Sequence, residues 1–328
     1  MAARGRVRPS FSIDKVSEGF EVIINCAAGG RPDTETGRAV EEAFASVSCG
    51  ADVRVRLARA GDELTELARA AVSNGARAVV AGGGDGTVGA VASALVGTDK
   101  ALGVLPLGTL NHFAKDLRIP LEVKDAARNV CEGRAVRVDV GEVRGSGETQ
   151  SRVFINNSGL GLYPHIVRRR EKLQERESSG KWPAFVRASL AILRRYPFMN
   201  VRLNADGKEI IRSTPFVFVG NNEYEVEGTN IGARGRLDEG RLSLYVAHRT
   251  GRLGLLRLAL RALFGRLRRA KDFDALSAEE IWVETRRPKR LYVATDGEVN
   301  VMTTPLHYRV RPGALRVIVP SEVTSDKS

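Results

Sequence analysis

The run "GGGDGT", Gly82 to Thr87, sets an acid inside a glycine turn that ends an apolar stretch and opens an amphipathic one. Successive main-chain N–H groups at such a turn, next to the positive end of a helix, cradle a phosphate, and glycine lets the backbone approach it closely. A bare carboxylate at Asp85 would repel that phosphate. The conflict disappears if Mg²⁺ lies between them, or if the acid orders a loop amide or a polar substrate group. Thr87 is placed to cap the helix that follows. Two more turns repeat the theme: "NCAAGG", Asn25 to Gly30, and "PLGTLNHFAKDL", Pro106 to Leu117, which opens a helix at Thr109 or Asn111. Neither a Walker A sequence nor GxGxxG is present, which argues against a P-loop NTPase and a plain dinucleotide oxidoreductase.

Three such turns act together only if one sheet edge carries them. From Glu21 onward short apolar runs alternate with helical patterns, with a helix from Asp62 stopped by Gly75 and another following the glycine turn. That alternation predicts a Rossmann-like parallel sheet with helices on both faces, its ligand at the carboxyl edge of the strands. After about Arg134 the texture changes to strand-like pieces rich in valine, tyrosine and phenylalanine, with "ADGK" a hairpin signal, so an antiparallel β-sandwich is expected. Helical insertions interrupt it at about 165–197 and 251–271. The expected organisation is a flexible leader over 1–18, a nucleotide-binding α/β domain over 19–134, a β-sandwich domain over 135–304 and a flexible tail over 321–328. Residues 305–320 are candidates to return to the first domain.

Fifty-one Lys+Arg against 39 Asp+Glu leave a net charge of +12, a balance that suits anionic partners. No cluster of base-stacking aromatics accompanies it, so nucleic acid is not the expected partner. Cys26, Cys49 and Cys131 lie far apart without CxxC spacing, which suggests neither a zinc site nor a disulfide framework and fits a reducing cytoplasm. The amino terminus lacks the apolar core of a secretory signal, and no run reaches the ~20 apolar residues of a transmembrane helix. Work at a membrane would be done from its surface. The segment Arg249 to Lys271, with a leucine stripe and eight basic residues, suits either packing on the sandwich or an anionic membrane interface. His112 is read as structural, and His165, His248 and His307 have no ligand spacing.

The chain resembles the diacylglycerol-kinase catalytic-domain family, in its bacterial soluble lipid-kinase branch, which is similar to the sphingosine and ceramide kinases and more distantly to NAD kinases. "GGGDGT" is shared across the superfamily. "PLGTLNHFAKDL", "ARGRLDEGRLSLYV" from Ala233 to Val246, and "TDGE" from Thr295 to Glu298 carry the narrower likeness. The resemblance implies ATP-dependent transfer of the γ-phosphoryl group to the hydroxyl of a diacylglycerol-like lipid at a membrane surface. It implies that Asn25, Cys26, Ala27, Ala28, Gly29, Gly83, Gly84, Asp85, Gly86, Thr87, Thr109 and Asn111 hold the nucleotide and that Asp85 orients it with its Mg²⁺. It gives Glu298 the role of general base with Asp296 as its acidic partner. It also maps a structural Mg²⁺ onto the Glu239 carboxylate and the carbonyls of Arg236 and Arg241. Taken alone, "DGE" and "RLDEGR" are also ordinary turns.

Departures from the family pattern are Cys26 for a common proline, Ala58 near a common threonine, Gly89 and Ala90 for a common Asn-Glu pair, His112 for a common aspartate and Glu239 for the commoner Asp of the structural metal site. Both proposed catalytic acids are retained. The alternatives are a NAD-kinase-like activity and a catalytically weak lipid- or nucleotide-binding regulator. The identity of the lipid and the oligomeric state, a homodimer included, stay open.

Overall fold

A computed structural model of the chain describes residues 19–26, 33–47, 49–59, 61–161, 164, 198–225, 232–247 and 273–321. The leader, the tail and both helical insertions anticipated from sequence lie outside the described residues. The first half runs β1 (Phe20–Asn25), α1 (Asp33–Val47), β2 (Val53–Ala58), α2 (Gly61–Ser73), β3 (Ala78–Gly83), α3 (Asp85–Leu95), β4 (Ala101–Pro106), α4 (His112–Asp116) and α5 (Val123–Glu132). The second runs β5 (Arg134–Arg144), β6 (Arg152–Phe154), β7 (Asn157–Gly161), β8 (Met199–Ala205), β9 (Lys208–Thr214), β10 (Phe216–Asn221) and β11 (Leu242–Ala247). It ends with β12 (Phe273–Ala278), β13 (Glu280–Thr285), β14 (Arg290–Thr295), β15 (Glu298–Thr303) and β16 (Leu306–Val319).

Strands β2, β1, β3 and β4 pair in that order and in parallel. Every residue of β3 and β4 is buried, because helices cover both faces of a parallel sheet and leave no polar side for the strand to show. Helix α2 turns Leu64, Ala68 and Ala71 to one side of the sheet, a spacing of one helical face. Helices α1 and α5 pack together on the other side around Val40, Phe44, Ala127 and Val130. Gly75, at φ +83°, ends α2: Ala76 N–H reaches the Ala71 carbonyl and Gly75 N–H that of Val72, so the last carbonyls are satisfied.

The packing of α1 against α5 overturns one expectation. Cys49 and Cys131, 82 residues apart, form a disulfide with Cα atoms 5.4 Å apart. Spacing along the chain concealed the pair because the sheet-flanking helices, not local sequence, bring their ends together.

The remaining strands extend the first sheet to ten strands and build a second, six-stranded sheet, with a second core between them. Sheet β12-β11-β10-β7-β14-β15 is antiparallel throughout. It faces the far part of the first sheet, where β13, β8 and β9 continue outward from β16, across Leu160, Leu203, Val219, Val283 and Tyr308. β16 joins the halves. Its start pairs with β13, its end runs parallel to β4, and its other edge follows β5 for most of its length, with a register break between Arg311 and Leu315. The expected class, a parallel α/β domain followed by an antiparallel sandwich, is the one observed.

Candidate active site

In the order β2-β1-β3-β4 the chain leaves β1 in one direction and β3 in the other, so a crevice opens between the turns that follow them. Asn25 closes β1 and its Nδ2 donates to Thr87 Oγ1 at 3.1 Å, tying the first turn to the third residue of α3. Thr87 is thus not the N-cap. Gly84, extended at φ −88° and ψ −174°, takes that place, and its carbonyl receives the Val88 N–H. Cys26 N–H donates to the Ala58 carbonyl, while Ala27, Ala28 and Gly29 lie outside the described residues. Gly108 comes so close to Gly84 that a Cβ on it would press on the Gly84 Cα and lie 2.8 Å from Asn111 Oδ1. A side chain at either glycine would fill the cradle. Thr109 is exposed on the same turn.

The puzzle of the acid in the cradle has a structural answer. Asp85 Oδ2 accepts the His112 N–H at 3.1 Å and Oδ1 the Phe113 N–H at 3.0 Å. The carboxylate caps α4 from 27 residues away and fastens the turn after β4 to the turn after β3. Asn111, in the left-handed region at φ 50°, donates through Nδ2 to the carbonyls of Pro106 and Gly108. Its Oδ1 is buried and has no donor among the described residues. A hydroxyl or an ordered water at the nucleotide would satisfy that oxygen.

Asp296 and Gly297 form the two-residue hairpin between β14 and β15, at φ +47° and +92°. The Asp296 carboxylate turns back to accept the N–H groups of Ile155, Asn156 and Asn157 at 2.7–3.0 Å. Burial pushes its carboxyl up to about 6, against the pull of these three amides and Arg234. The hairpin abuts the start of α3: a Cβ on Gly89 would lie 3.1 Å from Asp296 Oδ2. Glu298, two residues on, is exposed, and its Oε1 lies 3.4 Å from a Cβ placed on Gly61, the first residue of α2. Glu298 borders a cleft of about 750 Å³ with α2 residues Asp62, Thr65 and Arg69 on one wall and residues 147–153 on another.

A family model described as the diacylglycerol kinase catalytic domain matches residues 20–143. A second, the YegS C-terminal NAD kinase beta sandwich-like domain, matches residues 168–319. The chain is thus similar to the diacylglycerol kinase catalytic domain in its first part and to the YegS C-terminal domain in its second. Among its relatives, proteins named "Probable lipid kinase YegS-like" from Yersinia pestis and Yersinia pseudotuberculosis are 36% identical over 151 residues, which is 44% of this chain. The chain spans about half the length of these curated relatives, 47%. A diacylglycerol kinase structure from Bacillus anthracis covers 92% of this chain and 97% of its own at TM-score 0.65 and 21% identity. Another solved chain from that organism reaches TM-score 0.69 at 22% identity. These structures share the fold.

In this chain the two matched regions are bolted together by a residue inside the quoted "ARGRLDEGRLSLYV" stretch to which the sequence reading gave no role. Arg234 is buried; its Nε donates to Asp116 Oδ2 at 2.7 Å at the end of α4, its Nη1 to the Ile155 carbonyl and its Nη2 to Asn156 Oδ1. It stacks over Tyr224 at 5.3 Å. Asp296 and Arg234 therefore hold the same three-residue segment from two sides. In "RLDEGR", Arg236 pairs with Asp238, Glu239 N–H donates to Asn222 Oδ1, and the Arg241 carbonyl receives the Asn222 N–H. Buried Asp139 anchors this loop through the Gly240 N–H. Among the described residues no three His, Cys, Asp or Glu side chains gather as metal ligands.

Proposed function

We propose that the protein is an ATP-dependent lipid kinase that phosphorylates the hydroxyl of a diacylglycerol-like lipid at a membrane surface. One observation carries the reading: Glu298, from the sandwich, meets the first residue of α2 beside the carboxyl edge where the phosphate turns lie. A carboxylate brought to the strand edge that carries a phosphate cradle is what hydroxyl phosphorylation asks for. The lipid hydroxyl enters that cleft and gives its proton to Glu298 as its oxygen bonds the γ-phosphorus. The bond to the β–γ bridging oxygen breaks, and ADP leaves. Gly83, Gly84, Gly86 and Thr87 offer main-chain donors to the phosphates, and the unsatisfied Asn111 Oδ1 accepts from a nucleotide hydroxyl or an ordered water.

Asp85 holds α4 and the third turn in register, and it is the carboxylate of these turns that would hold Mg²⁺ beside the nucleotide. When bound, Mg²⁺ neutralises charge on the transferring phosphoryl group. Asp296 positions the 155–157 segment and sets the hairpin that presents Glu298. The second, structural Mg²⁺ implied for Arg236, Glu239 and Arg241 finds one carboxylate and a carbonyl already bonded by Asn222, so it has less support from the donors in place. No helix among the described residues is long and apolar enough to cross a membrane, in keeping with approach from the surface.

The second reading, a NAD-kinase-like activity, draws on the NAD kinase beta sandwich-like description of the second matched region. Labelled ATP with Mg²⁺, offered diacylglycerol, monoacylglycerol, phosphatidylglycerol, a sphingoid base and NAD in separate reactions, decides between them. Label in a lipid, lost in Glu298→Gln, supports the proposal; label in NAD alone overturns it. ATP binding without product from any acceptor favours a regulator.

A further inference from the structure

The strand that joins the two halves also carries a cationic groove at the end of the sheet away from the phosphate turns. Residues 97–99, which precede β4, line about 670 Å³ together with Arg137 of β5 and Arg309 and Arg311 of β16. Alternation along β16 buries Tyr308 and Val310 and turns Arg309 and Arg311 to the opposite face. Arg316 stands directly across the ladder from Arg137, and like charges on one rung oppose each other.

Following each guanidinium shows which charge is spent. Arg309 is paired with Glu142, Arg137 donates to the Gly313 carbonyl at 3.1 Å, and Arg316 donates to the Asp99 carbonyl at 2.7 Å. Arg311 has no acceptor among the described residues, and its head lies over Gly97, where a Cβ would sit 3.3 Å from Nη2. Asp99 is the one carboxylate among the groove's described lining residues. Carbonyls satisfy N–H groups of Arg137 and Arg316 without cancelling their charge, so the groove keeps a net positive potential.

We propose that this groove binds a phosphate group, gripped by the forks of Arg311 and Arg137. The site spans the joint between the halves. Gly97 N–H donates to the Ala314 carbonyl, and β16 breaks register between Arg311 and Leu315, so the groove's walls come from the parallel sheet on one side and the crossing strands on the other. A phosphate there clamps the joint. Free phosphate and a phospholipid headgroup share this chemistry.

The test is calorimetric titration of the full chain with inorganic phosphate in chloride buffer, comparing wild type with Arg311→Gln, Arg137→Gln and Arg311→Lys. The nucleotide turn also takes phosphate, but that component is common to all four proteins. Loss of one charge-assisted contact is expected to weaken the groove component about tenfold in each glutamine variant, with Arg311→Lys between them and wild type. All variants should match the wild type in circular dichroism, and Arg311→Gln and Arg311→Lys also in unliganded melting, since Arg311 has no acceptor among the described residues to lose, whereas Arg137→Gln gives up its bond to the Gly313 carbonyl. Superimposable titrations for wild type and both glutamine variants would overturn the site. Flotation with phosphatidylcholine vesicles, with and without an equal part of phosphatidylglycerol, separates the sources. Capture by the anionic vesicles that falls in Arg311→Gln assigns the site to a headgroup; unchanged capture with weakened phosphate binding assigns it to free phosphate.

Discussion

Asp206-Gly207 and Asp296-Gly297 are the same local structure: two-residue hairpin turns with both residues at positive φ. Their carboxylates even do similar work, since Asp206 accepts the N–H groups of Glu279 and Glu280 while Asp296 accepts those of Ile155, Asn156 and Asn157. What separates them is that Asp296 packs against α3 and presents Glu298 to the cleft. Glu298→Gln is expected to lower kcat by about 10²–10⁴ with little change in the KM for ATP or in melting temperature, because the side chain is exposed. Asp296 predicts a pH signature. Its folded pKa near 6 exceeds the ordinary ~4, so the folded state binds the proton more tightly and stability falls as pH rises through that window. Urea melts of wild type between pH 4 and 7 should show this slope, and Asp296→Asn should flatten it.

At the scale of elements, the stop of α2 at Gly75 was readable because every participant lies within six residues. The start of α4 at Asn111 was readable too, but what caps it was not. Its first two amides are capped by Asp85, which belongs to another helix, and no local pattern announces a cap from that distance. Asp85→Ala is expected to cost about 0.5–2 kcal/mol of stability and to loosen the turn at Asn111, raising the KM for ATP more than that for the lipid. Gly108→Ala should behave alike, because its Cβ meets Gly84 and Asn111. The Cys49–Cys131 bridge likewise depends on how α1 lies on α5. Replacing both cysteines by serine is expected to lower unfolding free energy by about 2–4 kcal/mol, read in denaturant melts with and without reductant.

For the whole molecule, the two halves are coupled by β16 and by the buried pair Arg234–Asp116, whose side chains are 1% and 4% exposed. Removing one partner leaves an uncompensated buried charge, so Arg234→Ala or Asp116→Ala alone should destabilise by about 3–5 kcal/mol. The double variant should cost much less than the sum. A double-mutant cycle that came out additive would show that the pair does not couple the halves.

Alternating strands and helices, the three glycine or polar turns and the DG hairpins are local consequences of residue type and spacing, and they suffice to predict a parallel sheet, a sandwich and a phosphate cradle. Which edge of the cradle an acid serves is not local. Asp85 turned to α4, Asp296 to a loop 140 residues earlier, and Arg234 to both halves because a buried donor or charge must find a partner wherever packing brings one. Only the tertiary structure, by stacking the sandwich against α2 and α3, brought Glu298 to the strand edge that carries the glycine turns.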